Sequence, residues 1–181
     1  MPSGGWTRVD CRCVRLRLVA LSALAAGDPV LIGGPCPYVL PAPQGTGLEV
    51  SFDGGAREVP GGRSAGAGAV LWVRGLDGQF TPAVVMRILL PGVPHAQVAE
   101  AWGLRGACYL LHTFGPDLAP PGAPVRTARG IGDNLSVIRY AACTGRLHRP
   151  ELQQVVEGPL ATLAALGWSV DWNPEGRSAS V

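Results

Sequence analysis

From Leu48 onward, apolar and polar residues fall into short blocks whose spacing predicts the order of elements. Leu48-Glu49-Val50-Ser51-Phe52 alternates with period two and reads as a half-buried strand ending at Asp53. Gly66–Val73 (GAGAVLWV) and Ala83–Leu90 (AVVMRILL) are denser apolar runs, as strands covered on both faces would be. Glycine-containing turns join the three into an antiparallel meander. Ala96–His112 changes period: Val98, Ala101, Trp102, Leu104, Cys108 and Leu111 recur at helical spacing just after Pro94. Gly103 and Gly106 weaken that helix, because glycine costs helix stability. Val125–Ile131 predicts a strand that runs into Gly132-Asp133. Leu135–Thr144 and Pro150–Gly167 predict helices, the second broken at Gly158-Pro159 because proline lacks the helical donor. Trp168–Trp172 (WSVDW) predicts a last strand, with Asp171 alternating toward solvent between Val170 and Trp172.

Three strands, a helix, a strand, helices and a strand describe an α/β fold with a mixed five-stranded sheet flanked by helices. The expected division is an N-terminal segment over 1–46, a domain over 47–173 and a disordered tail over 174–181. The N-terminal segment ends in the breaker-rich GGPCPYVLPAPQGTG. Its start imitates a targeting peptide, with Arg8, Arg12, Arg15 and Arg17 ahead of LVALSALAA. Val14-Arg15-Leu16-Arg17-Leu18 also alternates as a strand would, so both readings stay open.

Composition narrows the class. Hydrophobic residues make up 47% and charged residues 15%, which suits a packed globule rather than a disordered chain. The net charge is +2 and every basic residue is arginine, a side chain suited to bidentate phosphate contact. A balance that small does not by itself indicate a nucleic-acid binder. Cys11, Cys13, Cys36, Cys108 and Cys143 are odd in number and irregular in spacing, which predicts reduced thiols in an intracellular protein of the cytoplasm or nucleus. His95, His112 and His148 have no partner at ligand spacing, and the five tryptophans read as packing anchors. No apolar stretch approaches the ~20 residues of a membrane span, so no membrane partner is expected, and the chain is expected to be a monomer.

The chemistry lies in three acids. Asp53 precedes the glycine-rich run GGAREVPGGRSAGAG, Glu100 lies in the second turn of the predicted helix, and Asp133 follows a strand. Each has a structural reading: a turn residue, a solvated helix acid and a helix cap. Together, acids at two strand ends and on a facing helix can converge on one point. Carboxylates so gathered repel one another unless a hard cation such as magnesium or manganese joins them. Two such ions about 4 Å apart can activate water and stabilise the leaving oxygen of a phosphodiester.

Here the chain resembles the type 1 ribonuclease H family, free-standing or fused to reverse transcriptases of retroelements. SFDGGAR…AGAGAVLW resembles the family's opening hairpin, QVAEAWGLRGACYLL its glutamate helix and RGIGDNLSVI its second aspartate. The resemblance runs from about Leu48 to Trp172. It implies an RNase H-like fold and a Mg2+- or Mn2+-dependent endonuclease that cuts the RNA strand of RNA–DNA hybrids. It implies Asp53, Glu100 and Asp133 as catalytic metal ligands. Gly54 and Gly55 would admit the RNA backbone, and Gln97 would touch the minor groove. Asn134 and Arg139 would also lie on the nucleic acid, with Arg146 and Arg149 extending a basic face. The family adds a fourth acid on a helix after the last strand, where this chain reads WSVDWNPEGRSASV. That departure keeps a second expectation alive, a catalytically degenerate nucleic-acid-binding module or retroelement remnant. A sugar-kinase or actin-like ATPase, which shares an Asp-x-Gly hairpin, is the third alternative.

Overall fold

The computed structural model describes residues 7–8, 38–39, 45–59, 62–91, 95–119 and 126–174. Its sheet is built from β1 (Thr7–Arg8), β2 (Tyr38–Val39), β3 (Gly47–Val59), β4 (Gly62–Arg74), β5 (Phe80–Pro91), β6 (Arg126–Gly132) and β7 (Trp168–Pro174). The helices are α1 (Ala96–Leu118), α2 (Leu135–Ala141) and α3 (Pro150–Ala165). The strand order is β1-β2-β5-β4-β3-β6-β7. Its five long strands form the expected mixed sheet, with β3, β4 and β5 antiparallel and β6 and β7 parallel to β3. The two short strands come from the N-terminal segment and extend the β5 edge, where Tyr38 and Val39 pair with Val85 and Val84. Pro174, where the expected tail begins, is the last residue of β7; the rest of that tail, 175–181, lies outside the described residues, as do Cys11, Cys13, Cys36 and the targeting-like run.

Alternation decides which face is covered. Val50 and Phe52 on β3, Ala69, Leu71 and Val73 on β4, and Val84, Met86, Ile88 and Leu90 on β5 are all buried on one face. α1 lies on that face and is nearly all apolar inward, with Ala99, Leu104, Ala107, Leu110 and Leu111 fully buried. At the β6–β7 side, glycines make room for rings. A Cβ on Gly132 would sit 2.5 Å from the Phe52 ring, and one on Gly130 would overlap the Trp172 ring. Phe52 and Trp172 then meet edge to face at 6.2 Å. Trp102, Trp168 and Trp172 are buried anchors, and Trp72 donates from its indole N–H to Ser51 Oγ at 2.9 Å.

Several element boundaries differ from the sequence pattern, α2 for example ending at Ala141 rather than Thr144, and three differences have a clear structural cause. β3 does not end at Asp53 but continues to Val59, because the glycine-rich run keeps pairing with β4 from Gly54↔Ala67 to Val59↔Gly62. α1 continues past His112 to Leu118, since Phe114 and Gly115 are buried and Gly115 packs on the Trp168 ring. α3 runs through Gly158-Pro159 unbroken. Proline at 159 leaves the Val155 carbonyl without its helical donor. Arg105 of α1, stacked 5.0 Å over the Trp102 ring, donates to that carbonyl at 3.3 Å. No helix among the described residues is long and apolar enough to cross a membrane.

A candidate metal centre at the carboxyl end of two strands

The parallel pairing of β3 with β6 stops at Ser51↔Ile131, two residues short of Asp53. Past that point β3 continues with a partner on one side only, and β6 ends into Asp133. Asp53 and Asp133 are therefore neighbours at an opening that the sheet leaves between two strands. Asp53 is exposed there, and its Oδ1 accepts from the Gly54 N–H at 2.7 Å. Asp133 is exposed as well, and Asn134 behind it caps α2, its Oδ1 accepting from Ser136 N and Val137 N at 3.1 and 3.2 Å.

Glu100 arrives from α1, and two glycines set how closely that helix can approach. A Cβ on Gly54 would overlap the backbone of Ala99 and Glu100, and one on Gly103 would lie 3.0 Å from the Asp53 carbonyl oxygen. With neither Cβ present, the helix backbone rests directly on β3 and delivers Glu100 beside Asp53. One carboxylate oxygen from each of Asp53, Glu100 and Asp133 then lies within 4.8 Å of the others. The requirement for glycine at 54 comes from helix packing, whereas a Cβ on Gly55 would meet nothing within 4 Å. Gln97 is exposed one turn before Glu100, and Arg139, Arg146 and Arg149 are exposed on or after α2. Arg149 stands 4.0 Å from Glu151. No fourth carboxylate joins the cluster among the described residues; Asp171 is exposed on β7, in register with Arg129 of β6.

Glu100 is only 6% exposed, and its Oε2 has no hydrogen-bond partner. Burial pushes its pKa from the ordinary 4.5 up to about 8, with Asp133 and then Asp53 adding repulsion, against a small opposing effect of the Gly54 N–H. A buried, unpaired carboxylate oxygen beside two exposed carboxylates is a donor set that fits a hard divalent cation. Without one, the raised pKa has a stability consequence. The folded chain binds the Glu100 proton more tightly than the unfolded chain does. This contribution is complete below the ordinary 4.5 and is lost as pH rises through about 8. In chelator, the wild type should therefore lose stability over that window relative to Glu100→Gln. Parallel thermal-unfolding midpoints across the window would contradict this.

The sheet order and the helices flanking it define an RNase H-like α/β fold, with Asp53 of β3, Glu100 of α1 and Asp133 after β6 gathered where β3 and β6 part. The likeness to solved structures is to that class. The chain superposes on the N-terminal RNase H domain of a Mycobacterium tuberculosis protein with a TM-score of 0.56 at 22% identity, over 74% of this chain and 85% of that one. It matches the prototype foamy virus RNase H domain with a TM-score of 0.50 at 15% identity, over 76% of this chain and 84% of that one. Within the prototype foamy virus protease–reverse transcriptase the TM-score is 0.50 at 18% identity, over 78% of this chain and 19% of the longer one. No family model and no curated protein matches the sequence. At these identities the likeness establishes the fold.

Proposed function

We propose that the protein is a divalent-cation-dependent ribonuclease acting on the RNA strand of RNA–DNA hybrids. The observation that carries this reading is the meeting of Asp53, Glu100 and Asp133 at one point, with the buried Glu100 Oε2 unpaired. The RNase H-like fold around them supports it. Asp53, Glu100 and Asp133 would hold Mg2+ or Mn2+; when bound, such ions supply Lewis-acid charge for the attacking water and the leaving oxygen. The chain's own residues divide the remaining work. Glu100 gives up its proton when a cation arrives, so cation affinity rises with pH up to about 8. Asp53 and Asp133, both exposed, face the substrate side of the site. Gly55 leaves the β3 backbone open to a closely approaching strand, and Gln97 places an amide one turn from Glu100, within reach of a 2′-hydroxyl. Arg139 adds positive charge on α2 for backbone phosphates.

A second reading rests on the count of acids. Three carboxylates, with no fourth among the described residues, hold one ion well and a second poorly. The chain would then bind hybrid without cutting it. Incubating the protein with labelled hybrid in Mg2+, in Mn2+ and in chelator separates the readings. The nuclease reading expects RNA-strand cleavage that either metal supports and chelator stops. Hybrid binding without cleavage in both metals supports the binding module, and cleavage that persists in chelator excludes the metal centre.

A further inference from the structure

The sheet face opposite α1 carries a groove of about 710 Å³ that begins at Asp53 and crosses β3, β4 and β5. One row of the sheet explains its shape. Asp53 pairs with Gly68, and Gly68 pairs with Arg87. Paired residues project from the same face, and the adjoining row Phe52, Ala69 and Met86 is buried under α1. Asp53, Gly68 and Arg87 therefore share the open face. Two strand spacings put Arg87 roughly 10 Å from Asp53, with no side chain between them. Among the described residues, Asp53 and Arg87 are the only charged ones lining the groove. Arg87 is exposed, and it makes no hydrogen bond or ion pair among the described residues.

The floor of this groove holds three glycines, two of which, Gly55 and Gly68, the packing does not require. Gly55, Gly66 and Gly68 are mid-strand and have no positive φ. A Cβ would meet nothing within 4 Å at Gly55, would lie in ordinary contact 3.5 Å from the Met86 carbonyl oxygen at Gly68, and comes close, 3.3 Å from the Ile88 carbonyl oxygen, only at Gly66. Mid-strand glycine costs roughly 0.5–1 kcal/mol relative to alanine. Where packing does not demand it, such a glycine marks the close approach of a ligand or another backbone.

Resting on the nuclease reading, we propose that one strand of the nucleic acid crosses this glycine floor. The Arg87 guanidinium would hold a phosphate near the one placed at Asp53. A polyanion fits because the groove runs from Asp53, whose charge a bound cation would offset, to an unpaired guanidinium suited to bidentate phosphate contact. A peptide docked on Val70, Val85 and Leu89 would draw nothing from Arg87.

Steady-state cleavage of hybrid by the full chain over a range of salt tests this. Arg87→Ala should raise KM roughly tenfold while sparing kcat, as expected for one charged hydrogen-bonded contact. It should also reduce the salt slope by about one, and Arg87→Lys should restore that slope. Gly68→Val should raise KM by filling the groove without lowering the thermal midpoint. Wild-type kinetics in both Arg87→Ala and Gly68→Val, from a wild type that cuts hybrid, overturn this proposal alone. A wild type that neither binds nor cuts hybrid overturns the nuclease reading and this proposal with it.

Discussion

Asp53→Asn should abolish hybrid cleavage, lowering the rate roughly a thousandfold or more, while the thermal midpoint in chelator is unchanged or rises. The substitution keeps the shape of an exposed side chain and leaves an amide oxygen to accept from the Gly54 N–H, so the fold has little to lose. It removes one negative charge from three oxygens gathered within 4.8 Å, weakening the hold on a cation. A loss of that size corresponds to several kcal/mol of transition-state stabilisation, the range that metal-ion catalysis supplies. Because Asp53 repels the Glu100 carboxylate, its neutralisation should also bring the Glu100 pKa down from about 8. The mutant therefore has a readout independent of turnover: NMR titration of Glu100 in the metal-free chain. Undiminished cleavage by Asp53→Asn would sink the site assignment. An unchanged Glu100 titration would show that the carboxylates are not as close in solution as in the structure.

The largest effect on folding should come from adding one carbon at position 54. In Gly54→Ala the new Cβ overlaps the backbone of Ala99 and Glu100, and backbone cannot rotate away as a side chain can. α1 must lift from β3, exposing part of the apolar face that holds Ala99 and Leu104. A destabilisation of about 3 kcal/mol or more is expected, at the upper end of overpacking costs. Gly55→Ala is the internal control, because its Cβ meets nothing within 4 Å. That substitution should be neutral or stabilise by up to about 1 kcal/mol. Chemical denaturation of the two variants side by side decides the matter, and equal stabilities would show that α1 does not sit where the structure has it. Gly54→Ala should also weaken metal binding even under conditions where it folds, since the same displacement carries Glu100 away from Asp53.

The elements were legible where a strong period or a breaker marked them. The alternation from Leu48 to Phe52 marked the inward face of β3, and Leu104, Cys108 and Leu111 marked that of α1. The glycines were read less well. In GGAREVPGGRSA they marked a turn between the first two strands, yet most of that run pairs as the continuous hairpin of β3 and β4. Gly103 and Gly106 counted against a helix, whereas in the fold they are its points of contact with Asp53 and Phe52, and with Ile88 and Ala69. A one-dimensional pattern records that a side chain is missing but not which neighbour uses the space. Pro159 misled for a related reason. Its cost to α3 is met by Arg105, fifty-four residues earlier in the chain, and local sequence cannot show so distant a donor.

By itself the sequence determined the order of strands and helices, the apolar faces and the three acids set apart from ordinary surface charge, because periodicity and residue chemistry are local properties. Only the tertiary structure decided that the pairing of β6 with β3 stops two residues short of Asp53, that two glycines bring α1 onto β3, and that Glu100 is buried with an unpaired oxygen. It also decided that Arg87 shares a row with Asp53. Those facts depend on register and on the distance of closest approach between elements, which pairing and packing set across segments far apart in the chain.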